Sequence, residues 1–163
     1  MPAPNDAAGK SAWLAALKRA NDAKDTLVKA ADAHGQLDWR MLAAIGVRES
    51  GFDKAKRERL KDGSIGPGRG AFQVDLSKNP TVSETDAFHL SWAADWAAQR
   101  LDENRTALAA AHPNFNSFYL LWATAASWNL GVGGISGNPN TIDNGSAHGN
   151  YGSNVLGLMD CFK

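Results

Sequence analysis

Over residues 11–33 apolar side chains recur at helical spacing. Trp13, Leu14, Leu17, Leu27, Val28 and Ala31 fall near one stripe, with lysines and aspartates on the remaining positions. The pattern predicts one amphipathic helix that stops at His34-Gly35. Ahead of it, Pro2, Pro4, Asn5 and Gly9 oppose regular structure, so residues 1–9 read as a loose tail. Asp38 is placed to cap a second helix, on which Met41, Leu42, Ile45 and Glu49 share a face at three- and four-residue spacing. Ala43, Ala44 and Gly46 keep the other sides small or apolar, which predicts a central, buried helix broken at Gly51.

The periodicity then fades. KAKRERLKDG reads as a solvated charged face or a short helix, and GSIGPGRGAFQVD as a loop or irregular hairpin whose backbone turns sharply. Ser83-Glu84-Thr85-Asp86 has the form of a capping box before a helix reaching about Ala111, which Pro113 ends. Asn114 or Asn116 caps a further helix carrying Phe118, Leu121, Trp122, Ala125 and Trp128, and NLGVGG ends it. ISGNPNTIDNGSAHGN is a loop. Tyr151, Val155, Leu158, Met159 and Phe162 outline a short closing helix. The expectation is a single, mostly helical domain over residues 1–163 with a glycine-rich insert after the second helix.

At 163 residues the chain can build one real core. Its formal net charge is zero, which argues against a nucleic-acid binder. One cysteine, Cys161, permits no intramolecular disulfide, and close to the chain end on an apolar face it reads as packing. There is no run long enough to cross a membrane and no apolar signal core at the start, so the chain is expected to stay inside, to leave by another route or to be a mature segment. Six tryptophans suit either a core or a ligand groove.

GVRESGF holds the most informative acid. Glu49 stands at a helix C-terminus, where backbone carbonyls disfavour a negative charge, and burial beside Ile45 and Phe52 pushes the same way. Both effects raise a carboxylic acid toward the range in which it donates a proton near neutral pH. Glu49 reads equally as a solvated acid or as a partner of Arg48 or Lys54. Asp62 and Asp75 each suit a turn, and Gln73 suits a polar strand position. The four histidines lie far apart, with no metal-ligand spacing, and neither a Gly-x-Ser-x-Gly elbow nor a phosphate loop is present.

AAIGVRESGFD, GRGAFQVD, AASWNLGVGGI and HGNYGSNV, in that order over residues 39–162, resemble goose-type lysozymes, relatives of the soluble lytic transglycosylases. The resemblance implies an α+β lysozyme-like fold: a helical domain around a buried central helix, with a small irregular β-element beside a cleft. It implies peptidoglycan glycan strands as the partner, cut between N-acetylmuramic acid and N-acetylglucosamine by a monomer without metal or cofactor, outside the cell or delivered to its wall.

In that family the glutamate of Arg-Glu-Ser is the catalytic acid, here Glu49 beside Ser50. The Gln-Val-Asp stretch lines the cleft, here with Phe72, Gln73 and Asp75. The resemblance gives Asp75 the role of holding the attacking water. Ser64 stands at the ungapped position of the family's other aspartate, and Asp62 reaches that position only through a small insertion. The family's Tyr-Asn-Ala-Gly appears as Trp128-Asn129-Leu130-Gly131, so a hydrogen bond to Glu49 from that position has to come from an indole N–H. Tyr151 matches a second cleft tyrosine.

Three activities are open at this point. An inverting hydrolase needs Glu49 as acid and Asp75, with Asp62, across the sugar. A lytic transglycosylase needs Glu49 alone and leaves anhydro ends. A non-catalytic wall-binding module needs neither. Lys54, Lys56, Arg57, Arg59 and Lys61 offer a local basic face toward an anionic wall.

Overall fold

A computed structural model describes residues 6–163. Its helices are α1 (Ala7–Asp22), α2 (Lys24–Ala33), α3 (Trp39–Ser50), α4 (Glu84–Phe88), α5 (Leu90–Ala111), α6 (Ser117–Leu130) and α7 (Tyr151–Met159). Between α3 and α4 lies an antiparallel sheet of β1 (Arg57–Arg59), β2 (Ile65–Arg69) and β3 (Val74–Asp75), in that order. The class is mainly α with a small β-element, as expected. Among the described residues no helix is long and apolar enough to cross a membrane.

Part of the expected tail is helical. Asp6 accepts a hydrogen bond from Gly9 N–H (2.8 Å) and starts α1 at Ala7, so residues 6–9 belong to a capped helix. Residues 1–5 lie outside the described residues. The single helix expected over residues 11–33 divides at Ala23, whose backbone leaves helical geometry. Its buried stripe is Ala16, Ala20, Ala23, Leu27, Ala30 and Ala31, and Leu14 is exposed. Small residues face the core because α1 and α2 both pack against α3. A second break, at His89, separates α4 from α5.

α3 is the central helix. Residues 41–47 are buried all round, and the helix meets α1, α2, α5 and α7. Burying side chains such as Leu42 and Ile45 contributes about 1.5–3 kcal/mol each. Asp38 caps the helix by accepting from Arg40 N–H (2.9 Å). Ser83 caps α4, its Oγ accepting from Asp86 N–H (3.0 Å), while Asp86 Oδ2 accepts from the Ser83 hydroxyl (2.6 Å) and not from its N–H, and Asn116 rather than Asn114 caps α6. Of the two readings of the charge run, the short helix is not found: residues 57–59 form strand β1, and the run is exposed except at Glu58, as a solvated face is. Cys161 is exposed and not packed.

The polar loop before α7 is organised by one buried acid. Asp143 accepts from the Trp122 indole N–H (2.7 Å), Gly152 N–H (2.7 Å) and Ser153 N–H (2.8 Å). It thereby fixes the first turn of α7 to α6, and Tyr151 sits in that turn.

Candidate active site

α3 ends because Gly51 takes a left-handed conformation (φ 69°), which returns Gly51 N–H to Val47 O and Phe52 N–H to Gly46 O, both 2.9 Å. Arg19 of α1 clamps the same turn, donating to Gly51 O (2.8 Å). Glu49 is therefore held two residues before a rigid stop, on the side of α3 that faces α7.

Its partner there is Tyr151, whose hydroxyl donates to Glu49 Oε1. Arg48 lies 4.5 Å over the Tyr151 ring, an arrangement worth about 0.5–2 kcal/mol. Burial pushes the Glu49 carboxyl above its ordinary value, and the nearby charge of Glu58 adds to that. The Tyr151 hydrogen bond and the Arg48 charge oppose it without cancelling it. The Tyr151 hydroxyl is raised well above its usual range by burial and by Glu49, so it stays protonated and remains a donor. Of the roles the sequence left open for Glu49, the solvated acid and the lysine-paired acid are set aside: it is half-buried, and among the described residues it forms no ion pair.

The surface beside Glu49 is a cleft with two recesses. One, of about 520 Å³, is walled by Arg48, Glu49, His148, Asn150 and Tyr151. The other, of about 430 Å³, is walled by Gln73, Asp75, Trp96, Arg100 and Trp128. Asn129 borders both, and its Oδ1 accepts from Ala147 N–H (2.8 Å), tying the end of α6 to the loop before α7. Trp128 packs between Phe72 (6.3 Å) and Trp96 (6.0 Å) as an aromatic wall. No hydrogen bond joins its indole to Glu49 among the described residues; Tyr151 supplies that contact.

The remaining predicted residues divide. Gln73 lines the cleft, but from a turn with left-handed backbone (φ 49°) rather than from a strand, its amide donating to Gly70 O (2.9 Å). Asp75 lines the cleft at the end of β3. Its Oδ1 is taken by Ser77 Oγ (2.5 Å), Ser77 N–H (2.9 Å) and Lys78 N–H (3.2 Å), and the Ser77 hydroxyl holds its carboxyl below the ordinary value. Asp62 is fully exposed at the tip of the β1–β2 hairpin, taken by Ser64 through N–H (2.9 Å) and hydroxyl (2.6 Å), which lower it likewise.

Two predicted contacts are corrected. Phe72 is fully buried and supports Trp128 from behind, so it cannot meet a ligand directly. Ser50 donates to Ala71 O (2.8 Å) and accepts from Asp53 N–H (3.0 Å), so its hydroxyl fastens α3 to the sheet segment.

One acid was missed. Glu58, the middle residue of β1, turns away from the exposed Arg57 and Arg59 and over β2, where its Oε2 accepts from Gly68 N–H (3.0 Å). The strict alternation of Arg-Glu-Arg is the signal that could have found it, since a strand sends alternate side chains to opposite faces. Among the described residues no three His, Cys, Asp or Glu side chains gather in a way that could hold a metal ion. Neither the family models nor the curated proteins compared with the chain match it.

Proposed function

We propose that this protein is a muramidase that cuts peptidoglycan between N-acetylmuramic acid and N-acetylglucosamine by hydrolysis with inversion. The observation that carries the reading is Glu49: an acid on the central helix, raised by burial, held by Tyr151 and opening on a cleft with an aromatic wall. Such an acid keeps its proton at a pH where an exposed glutamate has lost it, as a general acid must. The order of the four motifs supplies the substrate class. The Trp128 and Trp96 faces and the amides of Gln73 and Asn129 are the groups with which sugar rings and N-acetyl groups pair.

In this reading Glu49 protonates the glycosidic oxygen as its bond to the muramic acid carbon breaks. A water enters from the opposite face of the sugar, held by a carboxylate on the sheet side of the cleft, the side that carries Asp75 and, farther out, Asp62. Inversion requires the two carboxyl groups to stand about 6.5–9.5 Å apart. The substrate places the site of action at the cell wall.

A second reading draws on the state of Asp75. Because its Oδ1 is already taken by its own turn, a route needing no second carboxylate is favoured by that observation: Glu49 first gives and then takes a proton, and a hydroxyl of the sugar attacks. Mass spectrometry of the soluble products from purified peptidoglycan separates the two. Hydrolysis leaves products heavier by one water at the muramic acid end than transglycosylation, which leaves anhydro ends. Glu49→Gln is expected to abolish either product, and near-normal release by that variant would overturn both readings.

A further inference from the structure

The carboxylates offered for the water on the sheet side are poorly placed to bind it. Asp75 accepts three hydrogen bonds on one oxygen, with the Lys78 ammonium 3.6 Å from the other, and Asp62 points into solvent at a hairpin tip. Glu58 is different in each respect. It is half-buried between two exposed arginines, its side chain lies over β2 beside Gln73, which lines the cleft, and its charge is near enough to act on Glu49. Among the described residues it forms no ion pair, and its Oε1 is solvent-accessible with no protein hydrogen bond.

The sheet is shaped to put it there. β1 and β2 pair at Arg57↔Arg69 and at Arg59↔Ile65, so Glu58 alone faces Gly66, Pro67 and Gly68. This bulge re-aims the side chain, as bulges beside active sites do. The two glycines clear its path. A Cβ on Gly66 would stand 2.6 Å from Glu58 Cδ, and one on Gly68 3.2 Å from its Oε2 and 2.9 Å from the Gln73 amide oxygen. Any side chain at Gly66 would therefore displace the carboxylate. Gly68 N–H fixes one carboxylate oxygen and leaves the other free.

We propose that Glu58 is the general base of the reaction: its free oxygen binds the attacking water across the cleft from Glu49. The proposal rests on the muramidase reading. In the step, the water oxygen bonds to the anomeric carbon of the muramic acid residue and passes a proton to Glu58. The glycosidic carbon–oxygen bond breaks, its electron pair goes to the leaving oxygen, and Glu49 gives that oxygen a proton. One water is consumed, and the two carboxyl groups exchange protonation states. Asp75 becomes a residue that shapes the cleft by bracing the turn after β3.

The test measures reducing-end release and product masses from purified peptidoglycan for the wild type, Glu58→Gln, Glu58→Asp, Gly66→Ala, Asp75→Asn and Glu49→Gln. Glutamine can still accept from Gly68 N–H, so Glu58→Gln is expected to unfold at the wild-type temperature. Its kcat is expected to fall by about 100-fold or more, the usual contribution of a general base, with KM little changed. Glu58→Asp should recover part of the rate. Gly66→Ala, which leaves both carboxyl groups in the chain, should lose activity by displacing Glu58, and Asp75→Asn should lose less activity than Glu58→Gln.

Hydrolysis by Glu58→Gln within a few-fold of wild type would overturn the assignment and leave the muramidase reading standing. If Glu58→Gln unfolds early, Gly66→Ala decides, and full activity there has the same consequence. Anhydro products from the wild type would overturn the water step and the hydrolase reading together. No soluble fragments from the wild type, or full activity in Glu49→Gln, would overturn the muramidase reading and this proposal with it.

Discussion

Replacing Asp143 tests whether one buried carboxylate holds Tyr151 in place. Asp143 is 4% exposed and receives three N–H groups, from Trp122, Gly152 and Ser153, at 2.7–2.8 Å. Burial raises its carboxyl, but the donors from Ser153, Trp122 and Gly152 outweigh burial, and the net shift is downward. Hydrogen bonds to a charged group contribute about 1.5–3 kcal/mol each and do not add fully, so Asp143→Ala is expected to cost about 3–4 kcal/mol. For a chain of this size that lowers Tm by about 6–16 °C. Asp143→Asn should cost about 2 kcal/mol, because whichever way the amide turns, its NH2 meets an N–H donor. Since the folded state depresses this carboxyl, its stabilisation is complete above the ordinary aspartate value of 3.8 and is lost as pH falls through the lower, folded value. Urea denaturation at pH 7 and near pH 3 measures both effects. A loss below about 1 kcal/mol for the alanine variant at pH 7 would refute the account, since one orphaned buried donor already costs that much.

Glu49→Gln should stabilise the protein at neutral pH: its raised carboxyl favours folding only while protonated, so the charged form is a cost that glutamine removes. The gain should shrink as pH falls from the raised, folded value toward 4.5 and be gone below it, and equal denaturation midpoints for the two proteins at pH 7 would count against it. Tyr151→Phe removes a donor that favours the charged form of Glu49, so the alkaline limb of the activity profile should move to higher pH; a move to lower pH would contradict the assigned hydrogen bond. Gly51→Ala forces a left-handed conformation on a residue with a side chain and should cost about 1–2 kcal/mol, read from thermal unfolding, with part of the loss appearing in kcat because Glu49 lies in the same turn.

The sequence made the helical frame legible where caps and periodicity agree. Asp38, Ser83 and Asn116 each start a helix where their side chains predict one. It concealed the breaks at Ala23 and His89, because neither residue is a helix breaker of the Gly or Pro kind. Glu49 was legible from its position alone, and Tyr151 from its motif. Phe72 and Ser50 were misread because adjacency in a motif does not fix direction: one side chain turns into the core and the other bonds to Ala71. Asp143 was hidden in a run of turn-forming polar residues, where its burial depends on α6, distant in sequence.

The acid at the end of α3 and the charged run after it belong together. A helix C-terminus disfavours a carboxylate, so an acid fixed there by Gly51 and sheltered by Tyr151 is arranged to keep its proton. A second acid close enough to act on it makes that stronger, and Glu58 is that acid. The charges of Arg57 and Arg59 would cancel its effect if they turned inward, but alternation along β1 sends both to the opposite face. Arg57 is held there by Glu84 (3.0 Å) and by the Phe88 ring (5.3 Å). The strand thus separates its cations from its anion: the cations meet solvent and the rim, and the anion lies over β2 beside Gln73. An acid raised by burial at the end of α3, and a second carboxyl group on β1 near enough to act on it, are the pairing that the proposed acid–base cleavage of a glycoside requires.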